Sequence, residues 1–222
     1  MKLQTPPQYA ADATTNMINV IGAQTPKFMI VRELTMNGIE SLLEVPDTDN
    51  VPEKGLIIKE VDNKICFIDY GGGMPQEVVS NHLASLGWSG KQQIFWTKEG
   101  TIATDNNKGI GAKTSALPHN TYGMQYYDWH DGICRSFVLH KDEEGHYAFK
   151  RFSFDDGSTD VFFLPDEEEL ERIFGEHKTG VCVKLLGKSE DENTWAALDQ
   201  ACQTERGHSP KKTGITILRF LN

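Results

Sequence analysis

The chain has 222 residues, 38% of them hydrophobic and 24% charged, and a formal net charge of -10 at pH 7; this ordinary globular mix excludes a disordered chain and a disulfide scaffold. Its length suits one large domain, since a typical domain holds about 100 to 200 residues. The acidic balance argues against a broad nucleic-acid surface, which needs many Lys and Arg contacts to phosphate. No run approaches the roughly 18 apolar residues of a membrane helix, and Met1 to Pro7 lacks a signal-peptide core, so a cytoplasmic protein with no membrane partner is expected.

Residues 1–26 are polar with little periodicity and read as an arm or a short helix. From Phe28 to Leu43 the pattern turns helical: at 100° per residue, Ile30, Val31, Leu34 and Leu42 share one arc of about 120°, and Glu33, Asn37 and Glu40 a separate arc of about 60°. Two β-rich runs follow, Leu56 to Val61 and Lys64 to Asp69, joined through Asp62-Asn63 as a tight hairpin. Residues 76–86 look like a short helix. The stretch 87–111 is rich in Gly, Lys and Asn, and a loop of that length in a compact domain is usually a functional lid or disordered.

Ala112 to Leu117 can open a helix. Cys134 to Lys141 pairs naturally with His146 to Phe154 around Asp142-Glu143-Glu144-Gly145. An acidic helix is expected at 166–175, a strand at Gly180 to Leu186, a helix at Asn193 to Glu205 and a last strand at Gly214 to Leu221. The aromatic-rich run Tyr122 to Trp129 reads as core. Cys66, Cys134, Cys182 and Cys202 lack C-x-x-C spacing and read as reduced core residues. The histidines show no zinc-binding spacing.

Four segments carry chemistry. Glu33 and Asn37 stand one helical turn apart, so a carboxylate and an amide can reach one ligand, although a solvated helix face explains the same spacing. Asp69 ends an apolar strand and is followed by Gly71-Gly72-Gly73-Met74, where backbone can approach a ligand closely. A carboxylate there can accept a hydrogen bond from an exocyclic amine such as the one adenine offers at N6, where guanine presents a carbonyl. Gly109-Ile110-Gly111-Ala112-Lys113 puts two glycines before a helix start, a setting that suits phosphate oxygens. A Walker loop fails at Asn107 and Ala112, and a dinucleotide fingerprint fails at Thr114. The fourth segment, Thr179-Gly180-Val181, opens a buried strand.

Taken in this order, the segments resemble the GHKL superfamily of gyrase-type topoisomerases, heat-shock chaperones, histidine kinases and MutL-type proteins, over roughly residues 28 to 187. Glu33-Leu34-x-x-Asn37 with Glu40-Ser41 is similar to its N-box, Asp69-x-Gly71-x-Gly73-Met74 to its first glycine box and Gly109-x-Gly111 to its second. Ser89-Gly90-Lys91 resembles a lid segment of the chaperone and MORC-like branches.

The resemblance implies an α+β fold, the Bergerat two-layer sandwich, with a mixed, mostly antiparallel sheet, helices packed on one face and an ATP lid at about 75–115. An arm would span 1–27 and the ATP-binding domain 28–222. It also implies Mg²⁺-dependent ATP hydrolysis. Glu33 would be the general base and Asn37 the Mg²⁺ ligand, while Asp69, Gly71, Gly73 and Met74 would hold the adenine. Gly109, Ile110, Gly111, Ala112 and Lys113 would wrap the phosphates, with Ser89 and Lys91 contributing from the lid. Many members carry Thr where Val181 stands here, so either Thr179 replaces it or that contact is lost.

ATP and ADP are thus the expected ligands, with a homodimer in the ATP state and a downstream domain in a longer protein, since the chain stops at the end of an apolar strand. A nucleotide-gated interaction module with little turnover is the alternative. A sensor-kinase reading is disfavoured because no helix before residue 28 presents a phosphoacceptor His.

Overall fold

The computed structural model describes residues 8–43, 55–75, 78–79, 95–97, 100–102 and 111–206. Helix α1 spans Gln8–Gln24 and α2 spans Met29–Leu43; strands β1 (Leu56–Val61) and β2 (Lys64–Asp69) follow, and then a short pair, β3 (Phe95–Thr97) and β4 (Gly100–Ile102). After α3 (Gly111–Ala116) come β5 (Gly123–His130), β6 (Ile133–Lys141), β7 (Tyr147–Phe149), β8 (Phe152–Ser153) and β9 (Thr159–Asp160). Helix α4 (Glu167–Phe174), β10 (Gly180–Gly187) and α5 (Thr194–Arg206) complete the described chain.

The main sheet has six strands in the order β1-β2-β10-β5-β6-β7. Its pairings among the described residues are all antiparallel, in keeping with the mixed, mostly antiparallel sheet expected; the expected last strand at 214–221 lies outside the described residues. The β1–β2 turn is the tight one expected, with Asp62 and Asn63 at φ 54° and 61°, the left-handed pair that a two-residue hairpin requires. Asp131 and Gly132 close β5 onto β6 in the same way, at φ 51° and 77°.

Alternation along the strands gives the sheet two buried faces. On one, Ile65, Phe67, Met124, Tyr126, Phe137, Val183 and Leu185 form the large core with Ile18 of α1, Ile30 and Leu34 of α2, Ala116 of α3 and Leu198 of α5. On the other, Cys66, Ile68, Tyr127, Cys134 and Cys182 pack under Ile173 and Phe174 of α4. The expectation of helices on a single face is therefore corrected: α4 covers the reverse side. It buries one side, where Leu170, Ile173 and Phe174 fall at helical spacing, and its start is fixed by Asp166, whose carboxylate accepts the Glu169 N–H at 2.7 Å. Beneath it the Tyr127 hydroxyl donates to Glu169, and Lys184 Nζ donates to the same carboxylate at 3.2 Å.

Of the two readings of the N-terminal segment, arm or short helix, residues 8–24 take the second. Helix α1 runs for 17 residues, and Ile18 is buried in the large core. Gly22 lies so close to α3 that a Cβ there would stand 2.8 Å from the Thr114 carbonyl oxygen. All four cysteines are free and buried, as expected. Among the described residues no helix is long and apolar enough to cross a membrane.

Candidate functional site

Helix α2 crosses the end of β2 on the large-core face. Gly38 makes the approach possible, since a Cβ at that position would stand 3.3 Å from Asp69 Cβ and overlap Leu56. Glu33, Asn37 and Ser41 follow one another at intervals of four and therefore lie along one stripe of the helix. At one end of this stripe the Glu33 carboxylate rests on the backbone of α3: a Cβ at Gly111 would overlap Glu33 Oε2 and stand 2.7 Å from Cδ. Its other oxygen, Oε1, accepts from Arg32 Nη1, and the Glu33 side chain is 14% exposed. Asn37, mid-stripe, is exposed.

At the other end, Ser41 Oγ–H donates to Asp69 Oδ1 at 2.9 Å, and the Gly71 N–H donates to the same oxygen at 3.0 Å. Asp69 is 8% exposed. The glycine box folds back over the strand ends. Thr179 Oγ1–H donates to the Gly71 carbonyl at 2.7 Å, which ties the turn to the start of β10. Gly180, at φ +93°, passes so close to β2 that a Cβ would lie 2.6 Å from Tyr70 Cα. Gly73, at φ +72°, leaves room for the Trp129 backbone.

Two residues not anticipated from the sequence secure the box. The Met74 N–H donates to Asp128 Oδ1 at 2.8 Å, and Arg135 donates to the Met74 carbonyl. Asp128 is wholly buried, at 0% exposure. Burial pushes its carboxyl above the ordinary range, while the Met74 N–H and Arg135 pull it down. Asp128 stands alone as an acid inside an aromatic strand, and the Asp131-Gly132 turn pairs it with Arg135. Pairing the strands across that turn is the signal that finds both residues.

Across the sheet, Leu56 pairs with Asp69, Asp69 with Val181, Val181 with Asp128 and Asp128 with Arg135. Directly paired residues share a face, so Asp69 and Asp128 flank Val181 in one row.

The structure thus joins Glu33 to Gly111, Asp69 to Gly71 and Gly71 to Thr179, with Gly73 and Met74 against Asp128. Ala112 packs on the large core. Lys113 is buried, 5% exposed, and burial lowers its ammonium pKa to about 8. Ser89, Lys91, Gly109 and Ile110 lie outside the described residues, as does most of the expected lid at 75–115.

Among the described residues no group of three or more His, Cys, Asp or Glu side chains could hold a metal ion, and the exposed Asn37 offers one amide oxygen. An amide oxygen at Asn37 is a hard ligand, and Mg²⁺ commonly takes few protein ligands and completes its shell with water and substrate phosphates.

Comparison of the chain with protein-family models gives no match, and comparison with curated proteins gives no significant match.

Proposed function

We propose that the chain binds ATP with Mg²⁺ in a Bergerat-type site and hydrolyses it. One observation carries this reading. The stripe of α2 that begins with Glu33 on the Gly111 backbone ends with Ser41 on Asp69, eight residues or about 12 Å along the helix. A nucleoside triphosphate laid along that stripe has its base at Asp69 and its terminal phosphate at Glu33.

In this reading Asp69 accepts a hydrogen bond from the adenine amine, and its Oδ1 contacts with Ser41 and Gly71 fix the carboxylate plane. Asn37 faces the phosphates and carries the metal, which when bound neutralises charge on the phosphate oxygens. Glu33 takes a proton from the attacking water. The water oxygen bonds to the γ-phosphorus, the bond to the bridging oxygen breaks, and ADP leaves with that electron pair. The bare backbone of Gly111 supports this role, since it leaves room for a carboxylate that a side chain at that position would exclude. The same reading includes self-association in the ATP state, which sedimentation with and without a non-hydrolysable ATP analogue tests.

The deciding experiment is phosphate release with Mg²⁺ for wild type and Glu33→Ala, alongside direct ATP binding. The expected result is ATP binding by both and turnover by wild type alone. Equal turnover with ATP bound would remove the hydrolase step and leave a nucleotide-gated binding module. Failure of wild type to bind ATP would remove the whole reading.

A further inference from the structure

We infer that Asp128 and Arg135 are positioning residues for the base pocket: together they fix the backbone of Met74 and so set the pocket's preference for adenine. The inference rests on the ATP-binding reading above.

Residues 71–75 form no regular structure, so the glycine box has no ladder of its own to hold its shape. Its position comes from side chains instead. Asp128 uses its two oxygens for different tasks: Oδ1 takes the Met74 N–H at 2.8 Å, while Oδ2 takes Arg135 Nε at 3.0 Å and Nη2 at 2.8 Å. Arg135 Nη2 also donates to the Met74 carbonyl, so one ion pair satisfies both backbone groups of a single residue. The guanidinium is itself fixed, with Cζ 5.5 Å from the centre of the Phe162 ring. Farther along the turn, His130 Nδ1 lies 3.2 Å from the Gly72 carbonyl oxygen.

A buried ion pair contributes little net stability over an apolar pair of similar volume, because desolvation offsets the attraction. Directional hydrogen bonds are what the charged pair adds. The row Asp69–Val181–Asp128 gives them a purpose. Neighbouring strands lie about 4.8 Å apart, so the residue that holds Met74 sits two strands from the residue that reads the base. Met74 packs against the core cluster that contains Val181, so in the proposed pocket a shift of Met74 changes how a base meets Asp69. Lysine cannot replace Arg135 here, since a single ammonium lacks the planar fork that spans Asp128 and Met74.

The test compares ATP with ITP, whose base carries a carbonyl where adenine carries its amine, for wild type, Arg135→Lys and the double variant Asp128→Leu/Arg135→Met. The double variant leaves no unpaired buried charge and guards against a single variant that fails to fold. Affinities are measured by calorimetry and folding by urea melts. The expected result is cooperative unfolding, a rise of at least tenfold in the ATP Kd and at least a fivefold loss of preference for ATP over ITP. A folded variant with an unchanged ATP to ITP ratio overturns the inference, whether both affinities are intact or both have fallen equally, because a purely structural role weakens the two nucleotides alike. Wild type that binds ATP keeps the underlying reading in either case. Wild type that binds neither nucleotide overturns both.

Discussion

The Glu33 carboxylate fills the space that a side chain on Gly111 would need, with Glu33 Cδ 2.7 Å from where the Cβ would stand. The obstacle is the free end of a flexible side chain, so the fold can yield by turning Glu33 aside. Gly111→Ala is therefore expected to leave stability within about 0.5 kcal/mol of wild type. Turnover should fall far more, by about a hundredfold, because a displacement of the base by an ångström is enough for that. Urea melts and phosphate-release rates on the same preparation check both halves. Unchanged turnover would mean that Glu33 does not act from this position.

The glycines of the first box separate by their surroundings. Gly73 has φ +72° and a Cβ there would lie 2.9 Å from the Trp129 carbonyl carbon, whereas nothing stands within 4 Å of a Cβ at Gly72. A left-handed residue with a side chain loses about 1 to 2 kcal/mol, and the rigid backbone of β5 adds to this. Gly73→Ala should thus destabilise by more than about 2 kcal/mol, and Gly72→Ala by less than about 0.5 kcal/mol. Equal melting midpoints for the two variants would contradict the turn geometry.

The contrast between these glycines shows what a sequence can reveal. Gly71-Gly72-Gly73 marks a turn, but which glycine is obligatory depends on the strand behind it. The hairpin at Asp62-Asn63 was legible because local turn chemistry determines it, and so was α2, whose apolar arc places Ile30 and Leu34 in the core at 1% and 4% exposure. The face of α4 was not legible, since its amphipathic pattern says that one side is buried and not which side of the sheet receives it. Ser41 and Arg135 act through partners 28 and 61 residues away along the chain, and no local periodicity reports such pairings. Glu40 shared an arc with Glu33 and Asn37 on paper, yet it is buried at 8% exposure, and Ser41 makes the contact with Asp69.

Asp69 Oδ1 already accepts from Ser41 and from the Gly71 N–H, and this fixes the outcome of Asp69→Asn. The amide oxygen takes over those two contacts, and the amide nitrogen is left to face the base. A donor then meets the adenine amine, while the carbonyl of a hypoxanthine base finds a partner. ATP affinity should fall by about 1 to 3 kcal/mol, the scale of an unpaired buried polar group, and ITP should gain relative to ATP. Titration calorimetry with both nucleotides reads the change. An Asn variant that keeps its preference for ATP would show that Asp69 does not contact the base.

Lys113 gives the site a pH signature. Burial lowers its pKa from 10.5 to about 8, so between these values the unfolded chain holds a proton that the folded chain lacks. Stability should therefore rise with pH over that window, by at most about 3 kcal/mol at 1.36 kcal/mol per unit. Below about pH 8 the ammonium is charged in both states and this pH dependence levels off. Lys113→Met keeps the buried stem and should remove the slope.

Nucleotide binding acts on the same proton in the opposite sense. Phosphate oxygens beside Lys113 favour the ammonium and raise its pKa, so ATP should bind with proton uptake at pH 8 to 9 and more weakly as pH rises. Calorimetry in two buffers of different ionisation enthalpy measures that uptake directly. A wild-type uptake equal to that of Lys113→Met would place the phosphates elsewhere and leave Lys113 as a buried structural residue of α3.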